Sequence, residues 1–221
     1  MMLRALKFPG IFTLASILLA GCSSGDDPDM TTSWLGPLHA YERVSGADDD
    51  GVFVLRDGKP VAAERIILAP AGITVSVDSD LSSITPRAYE RICAAFADAL
   101  VRELSKQPND TSADSDAYIV RIALTNLTAK RIGKDIGAAS LDDLKFSFEM
   151  SAIEAEFRNR RTNSRSAVIV APAKAKETTA SGLADAFGTF AERISTRIAQ
   201  ARAELSKRAR APATLPAAKK K

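Results

Sequence analysis

The stretch KFSFEMSAIEAEFRNRRTNSRSAVIV, Lys145 to Val170, limits the fold of this chain more than any other part of it. Apolar residues alternate through Phe146, Phe148 and Met150, then change phase to Ile153, Ala155 and Phe157. A period of two marks a strand with one buried face, and such a strand changes faces only by taking in extra residues, so a bulge is expected at the switch. RNRRTNSR then reads as a turn, and SAVIVAP returns as a second, antiparallel strand. A chain built on this hairpin needs a sheet that is mainly antiparallel. Glu149, Glu154 and Glu156 lie on the first of these strands, and Glu154 and Glu156 point the same way. Alternation with Ile153, Ala155 and Phe157 puts that pair on the expected solvent side.

Two long stretches carry the other period. In ITPRAYERICAAFADALVRELSKQP an apolar stripe runs through Tyr89, Ile92, Cys93, Phe96, Leu100 and Leu104. Thr85 is placed to cap that helix, Pro86 suits its first position, and Pro108 lies beyond its end. From about Ser181 to Lys207, Leu183, Phe187, Phe190, Ile194 and Ile198 form a second stripe, with Ser181 as the expected cap. Ahead of the first of these, AERIILAPAGITVSV reads as a strand at Ile66 to Ala69, a break at Pro70 to Gly72 and an extended piece from Ile73 to Val77. DAYIVRIALTNL alternates through Tyr118, Val120, Ile122 and Leu124 as a half-buried strand. The expected fold class is therefore α+β: a mainly antiparallel sheet of about four to five strands with two long helices packed on one face. Residues 34–41 and the SGADDDG segment read as loop and turn, with Asp57-Gly58 as another turn signal.

The N-terminus follows a different logic. Arg4 and Lys7 precede an apolar run of 13 residues, Phe8 to Ala20, that Pro9 and Gly10 interrupt. Crossing a hydrocarbon core takes about 20 apolar residues as a helix, so this run fits the apolar region of a secretory signal. Leu19, Ala20, Gly21 and Cys22 resemble the lipobox of bacterial lipoproteins, which implies cleavage between Gly21 and Cys22 and a diacylglycerol on the Cys22 thiol. SSGDDPDMTTS then reads as a tether. The expected organisation is a signal peptide at 1–21, a lipidated cysteine and tether at 22–33, one α+β domain at 34–206, and a basic disordered tail at 207–221. The formal net charge of +3 hides this division. Residues 22–205 hold 22 Lys and Arg against 27 Asp and Glu, and the surplus of positive charge sits at the two ends. The pI therefore gives no reason to expect nucleic acid as a partner. The tail, with Lys219 to Lys221, is an expected contact for anionic surfaces.

Catalytic signatures are sparse. The single histidine, His39, lies in a loop and no serine sits in a nucleophile-elbow context. Of the two cysteines, Cys22 is assigned to the lipid and Cys93 to a helix face, so neither a disulfide framework nor a zinc set is expected. Asp48, Asp49 and Asp50 lack the alternating oxygen ligands and closing Glu of a calcium loop. No phosphate-binding glycine motif is present, and no metal or cofactor is expected. Paired carboxylates, Glu154 with Glu156, are the remaining enzymatic route, as in a cell-wall hydrolase.

The lipobox, the SWLGPLHAY opening, RIILAPAGI before a Pro-started helix, the long hairpin and the final FGTFAERISTRIAQAR helix together resemble the bacterial lipoprotein family known as domain of unknown function 3313. The resemblance runs from about Thr31 to Leu205. In related families the hairpin turn carries a glycine where this chain has Asn163 and Ser164. The resemblance implies an α+β envelope domain of the kind that assists transport or assembly machines, and it brings no reaction with it. Ser23 follows the cysteine where inner-membrane lipoproteins carry Asp, which by resemblance implies the periplasmic face of the outer membrane. The expectation is a non-enzymatic binding or accessory domain held at the membrane by its lipid, with a protein partner in the envelope. The alternatives are the carboxylate hydrolase and an accessory subunit of a transport complex.

Overall fold

The computed structural model describes residues 30–58, 60, 66–77, 84–106, 117–133 and 137–211, with the backbone alone at 69–71. The signal segment, Gly21, Cys22, the tether up to residue 29 and the tail beyond residue 211 lie outside the described residues. In chain order the elements are β1 (Thr31–Thr32), β2 (Gly36–Pro37), β3 (Tyr41–Ala47), β4 (Asp50–Leu55), β5 (Ile66–Val77), α1 (Pro86–Leu104), β6 (Tyr118–Arg131), β7 (Leu144–Ser147), β8 (Ala152–Asn159), β9 (Arg165–Pro172), β10 (Thr178–Thr179) and α2 (Leu183–Arg210).

The main sheet has eight strands, in the order β10-β7-β6-β8-β9-β4-β3 with β5 also paired to β6. This corrects the expected four to five. The β3–β4 hairpin accounts for most of the difference, because Val52, Phe53 and Val54 are buried in succession and show no alternation to read. Its turn depends on Gly46, with φ +92°, where a Cβ would stand 2.0 Å from the Asp50 carbonyl oxygen. The β5–β6 pair is parallel, joined through α1, and the other pairings are antiparallel.

Both phase breaks in the sequence are interruptions of pairing. Thr128 pairs with Ser147 and Thr125 with Ala152, so residues 148–151 stand opposite only residues 126–127. Asn126 adopts φ 56° there, and the Ser151 hydroxyl donates to its carbonyl at 3.0 Å. On β5 the register jumps between Leu68 and Ile73, across the Pro70–Gly72 break, and the strand resumes beyond it. Proline has no N–H to give to a ladder, so the chain steps out at that point.

Both helices pack on one face of the sheet. Thr85 caps α1 by accepting from the Ala88 N–H at 3.2 Å, and Ile92, Phe96, Leu100 and Leu104 are buried. On α2 the full expected stripe from Leu183 to Ile198 is buried. Ser181 does not cap α2. A 3₁₀ turn at Ala180–Gly182 precedes the helix, Gly182 takes the cap position, and the Ser181 hydroxyl pairs with that of Thr179. The helix continues to Arg210, so Lys207, Arg208 and Arg210 occupy its last turn, where they favour the negative end of its dipole. Edge-on aromatic pairs, Phe96 with Phe187 at 5.4 Å and Phe148 with Phe190 at 5.1 Å, join the helices to each other and to the β7–β8 interruption.

Candidate functional site

The opposite face of the sheet is also covered, and this changes the reading of the acidic pair. On β8, Ile153, Ala155 and Phe157 belong to the core beneath the helices, while Glu154 and Glu156 project from the other side. These two carboxylates do not face solvent as expected, for Glu154 is 1% exposed and Glu156 is 2% exposed. What covers them is the segment from Met30 to Tyr41. Its Leu35, Leu38 and Tyr41 join Phe53, Val168 and Val170 in a second apolar cluster. The loop expected there holds the short β1–β2 pair, and residues 33–35 between those strands lie over Glu154. For the same reason β6 is buried on both faces: Ala123 and Thr125 are 1% and 2% exposed.

Glu154 is the acceptor that holds this segment down. One oxygen takes the Leu35 N–H at 2.9 Å and the Trp34 N–H at 3.2 Å. The other takes the hydroxyls of Ser33 and Thr125, both at 3.1 Å. A buried carboxylate needs such donors, since without them its desolvation costs several kcal/mol. Bonds with a charged acceptor are roughly twice as strong as neutral ones.

Glu156, two residues on, is an ion-pair hub. Arg121 and Arg158 approach one oxygen at 2.9 and 2.8 Å, and Arg165 approaches the other at 2.8 Å. The Arg165 guanidinium also donates to the Leu35 carbonyl at 2.9 Å, so it ties the N-terminal segment to the hub. Arg158 donates back to the Asn163 carbonyl at 2.9 Å, and Arg121 lies 5.6 Å from the centre of the Trp34 ring. Burial pushes the Glu156 carboxyl up, but the Arg158 hydrogen bond and the charges of Arg158, Arg165 and Arg121 outweigh it and hold the carboxyl below its ordinary value. Burial raises the Tyr41 hydroxyl despite the Arg165 charge beside it. A general acid needs the opposite arrangement, a carboxyl raised toward neutrality in a cleft. Glu154 and Glu156 are instead committed to docking and ion pairing.

Beside the N-terminal segment a cleft of about 430 Å³ opens between it and the β7–β8 interruption. Thr32, Ser33, Asn126, Glu149, Met150 and Lys174 are among its walls, and Met150 is 75% exposed.

The other residues singled out from sequence lie apart. His39 is exposed, and Asp50 pairs with Arg197 at 2.9 Å below the β3–β4 turn. Cys93 is half-buried on α1 beside Tyr89, and burial pushes its thiol up, away from the reactive thiolate. Among the described residues no group of three or more His, Cys, Asp or Glu is placed to hold a metal ion. No described helix is long and apolar enough to cross a membrane. Sequence reasoning missed Trp34, Arg121, Thr125, Arg158 and Arg165. The available signal was the spacing of Arg121 and Arg158, which occupy strand positions opposite the core residues, where a buried Glu would need partners; Arg165 shares the parity of core Ala167 and Ile169, and only the register shift between Phe157 and Arg158 brings it to Glu156.

No family model matches the chain, and no curated protein matches it. Among solved structures it is similar to a protein described as a neuraminyllactose-binding hemagglutinin homolog from Helicobacter pylori, with 8% identity and a TM-score of 0.40 over 77% of this chain and 96% of that one. It is also similar to a PelC dodecamer from Paraburkholderia phytofirmans, with 9% identity and a TM-score of 0.27 over 66% of this chain and 97% of that one. Likeness at this level constrains neither ligand nor partner.

Proposed function

We propose that the chain is a bacterial envelope lipoprotein, anchored through Cys22 at the periplasmic face of the outer membrane, whose α+β domain binds a partner and performs no catalysis of its own. The observation that carries this reading is Glu154. Its two oxygens hold Ser33, Trp34 and Leu35, so the segment that follows the tether is fastened to the sheet by the side chain a hydrolase would have needed free. Seven residues lie between Cys22 and Met30, so the eight steps from one to the other reach at most about 28 Å in extended chain, and a lipid on Cys22 holds the domain close to the bilayer. The kinship with the family known as domain of unknown function 3313 belongs to the same proposal, and so does an accessory place in an envelope transport complex.

Metabolic labelling with palmitate tests the anchor. The native chain takes up label and fractionates with outer membranes, whereas Cys22→Ala takes up none and is absent from them. Label in Cys22→Ala, or its retention in the outer membrane, overturns the reading.

A further inference from the structure

β3 is the outermost strand on its side of the sheet, and among the described residues it pairs only with β4. An edge of seven residues with unpaired N–H and C=O groups is a template for one more strand. The fold leads a strand to it. β6 pairs with β5 on one side and β8 on the other, so the order runs away from β5 through β8, β9 and β4 to β3. β9 and β3 are both antiparallel to β4 and therefore parallel to each other. α2 follows β9, lies on the same face as α1, and runs back against the direction of β3. Its Arg197 donates to Asp50 at 2.9 Å and to the Ser45 hydroxyl at 3.4 Å, while Arg208, further along the helix, pairs with Glu42. A strand after α2, laid outside β3 and parallel to it, completes a crossover in the same direction and over the same face as β5, α1 and β6, hence of the same hand.

We propose that residues 212–221 dock on the free edge of β3 as that strand. α2 ends level with Glu42, the Ala211 backbone is already extended at φ −64° and ψ 131°, and ten residues follow it in the sequence. Pro212 and Ala213 make the crossing from helix to sheet, an ordinary length for such a join. Thr214 to Lys220 then spans about 20 Å at about 3.3 Å per residue, the distance along β3 from Glu42 to the turn at Asp48. Lys219, Lys220 and Lys221 arrive beside Asp48 and Asp49, which are exposed and hold no ion pair among the described residues, whereas the neighbouring Asp50 is taken by Arg197. Pro216 sets the phase. It has no N–H to give to a ladder, so it faces solvent, and Leu215 and Ala217 turn their N–H groups to β3. The segment that composition alone marks as a tail thus closes the edge against strands from other molecules.

Hydrogen exchange reads the edge. In the full chain the β3 amides that point away from β4 are expected to exchange about tenfold slower than in a chain that stops at Ala211, the effect of about one net backbone hydrogen bond. The shortened chain keeps every described element, so its fold is not at issue. Ala217→Pro removes an inward N–H and is expected to bring those amides to the rate of the shortened chain. Ala218→Pro is the same change one position on, where the N–H faces solvent, and is expected to leave them at the native rate. A zero-length carbodiimide is expected to join Lys219, Lys220 or Lys221 to Asp48 or Asp49 within one molecule. Equal exchange in the full and shortened chains overturns the proposal, as do equal effects of the two prolines. Protection or crosslinking that grows with protein concentration also overturns it, and assigns the edge to a strand exchanged between copies.

Discussion

Replacing Glu154 by Ala removes one carboxylate from beneath the N-terminal segment and leaves the strands on either side of it unchanged. Four donors lose their acceptor. The losses differ in weight. Thr125 retains the Ala152 carbonyl at 3.2 Å, and Ser33 is exposed and turns to water. The Leu35 N–H, on a residue 5% exposed, keeps only the Thr32 hydroxyl at 3.0 Å, and the half-buried Trp34 N–H is only partly reached by solvent. An unsatisfied buried N–H costs about 1–3 kcal/mol, and with the Leu35 N–H still bonded to Thr32 the weakening of the clasp comes to about 2 kcal/mol. Burial of Leu35 and Leu38 still holds the segment in place, so the change appears as opening and not as loss of the fold. Amide hydrogen exchange at Leu35 is the assay: about 2 kcal/mol corresponds to acceleration of about thirtyfold. Amides of β6 and β9 should keep their protection. Glu154→Gln keeps an acceptor for the two N–H groups and offers its NH₂ to the two hydroxyls, so acceleration there should be about tenfold or less. Exchange at Leu35 in Glu154→Ala within a few-fold of native would refute the argument. So would equal loss of protection in the central strands, since that would make Glu154 a prop of the whole sheet.

Two further changes probe the hub. The Glu156 carboxyl is held below its ordinary value, so the unfolded chain binds more protons than the folded one at acid pH, and the contribution of Glu156 to stability is complete above the ordinary carboxylate value near 4.3 and lost as pH falls through its folded value. Glu156→Gln should therefore melt below the native chain at neutral pH, with the gap closing as pH drops under about 4, and a gap independent of pH would contradict the assignment. Arg165→Lys keeps the charge but cannot bridge Glu156 and the Leu35 carbonyl with one planar group. It should cost about 1–2 kcal/mol in denaturant unfolding and expose Trp34 to acrylamide, and a neutral effect would mean the bridge is dispensable.

Much of the helix face was legible in the residue pattern. Thr85, Pro86 and the stripe to Leu104 specify α1 through local chemistry, and the Phe146-to-Phe157 phase change specifies an interruption, because periodicity and capping act within a few residues along the chain. Ser181 shows the limit of that reasoning: a 3₁₀ turn moved the helix start two residues on, and the hydroxyl found Thr179. Asn163 takes φ 56° in the β8–β9 turn, a left-handed position that an Asn side chain tolerates.

The other face was not legible, since it depends on residues more than a hundred positions apart. Nothing local to IEAEF says whether Glu154 meets water or the N–H groups of Trp34 and Leu35, about 120 positions away. Alternation assigns residues to two faces and is silent on what covers each. The sequence by itself determined the period of the long elements, the cap of α1, the β8–β9 turn and the distribution of charge, because these follow from neighbours in the chain. Only the tertiary structure decided that the Met30–Tyr41 segment folds back over the sheet, because closing that long loop depends on the sum of an apolar cluster, three bonds to Glu154 and the Arg165 bridge, none of which exists until the strands are in place.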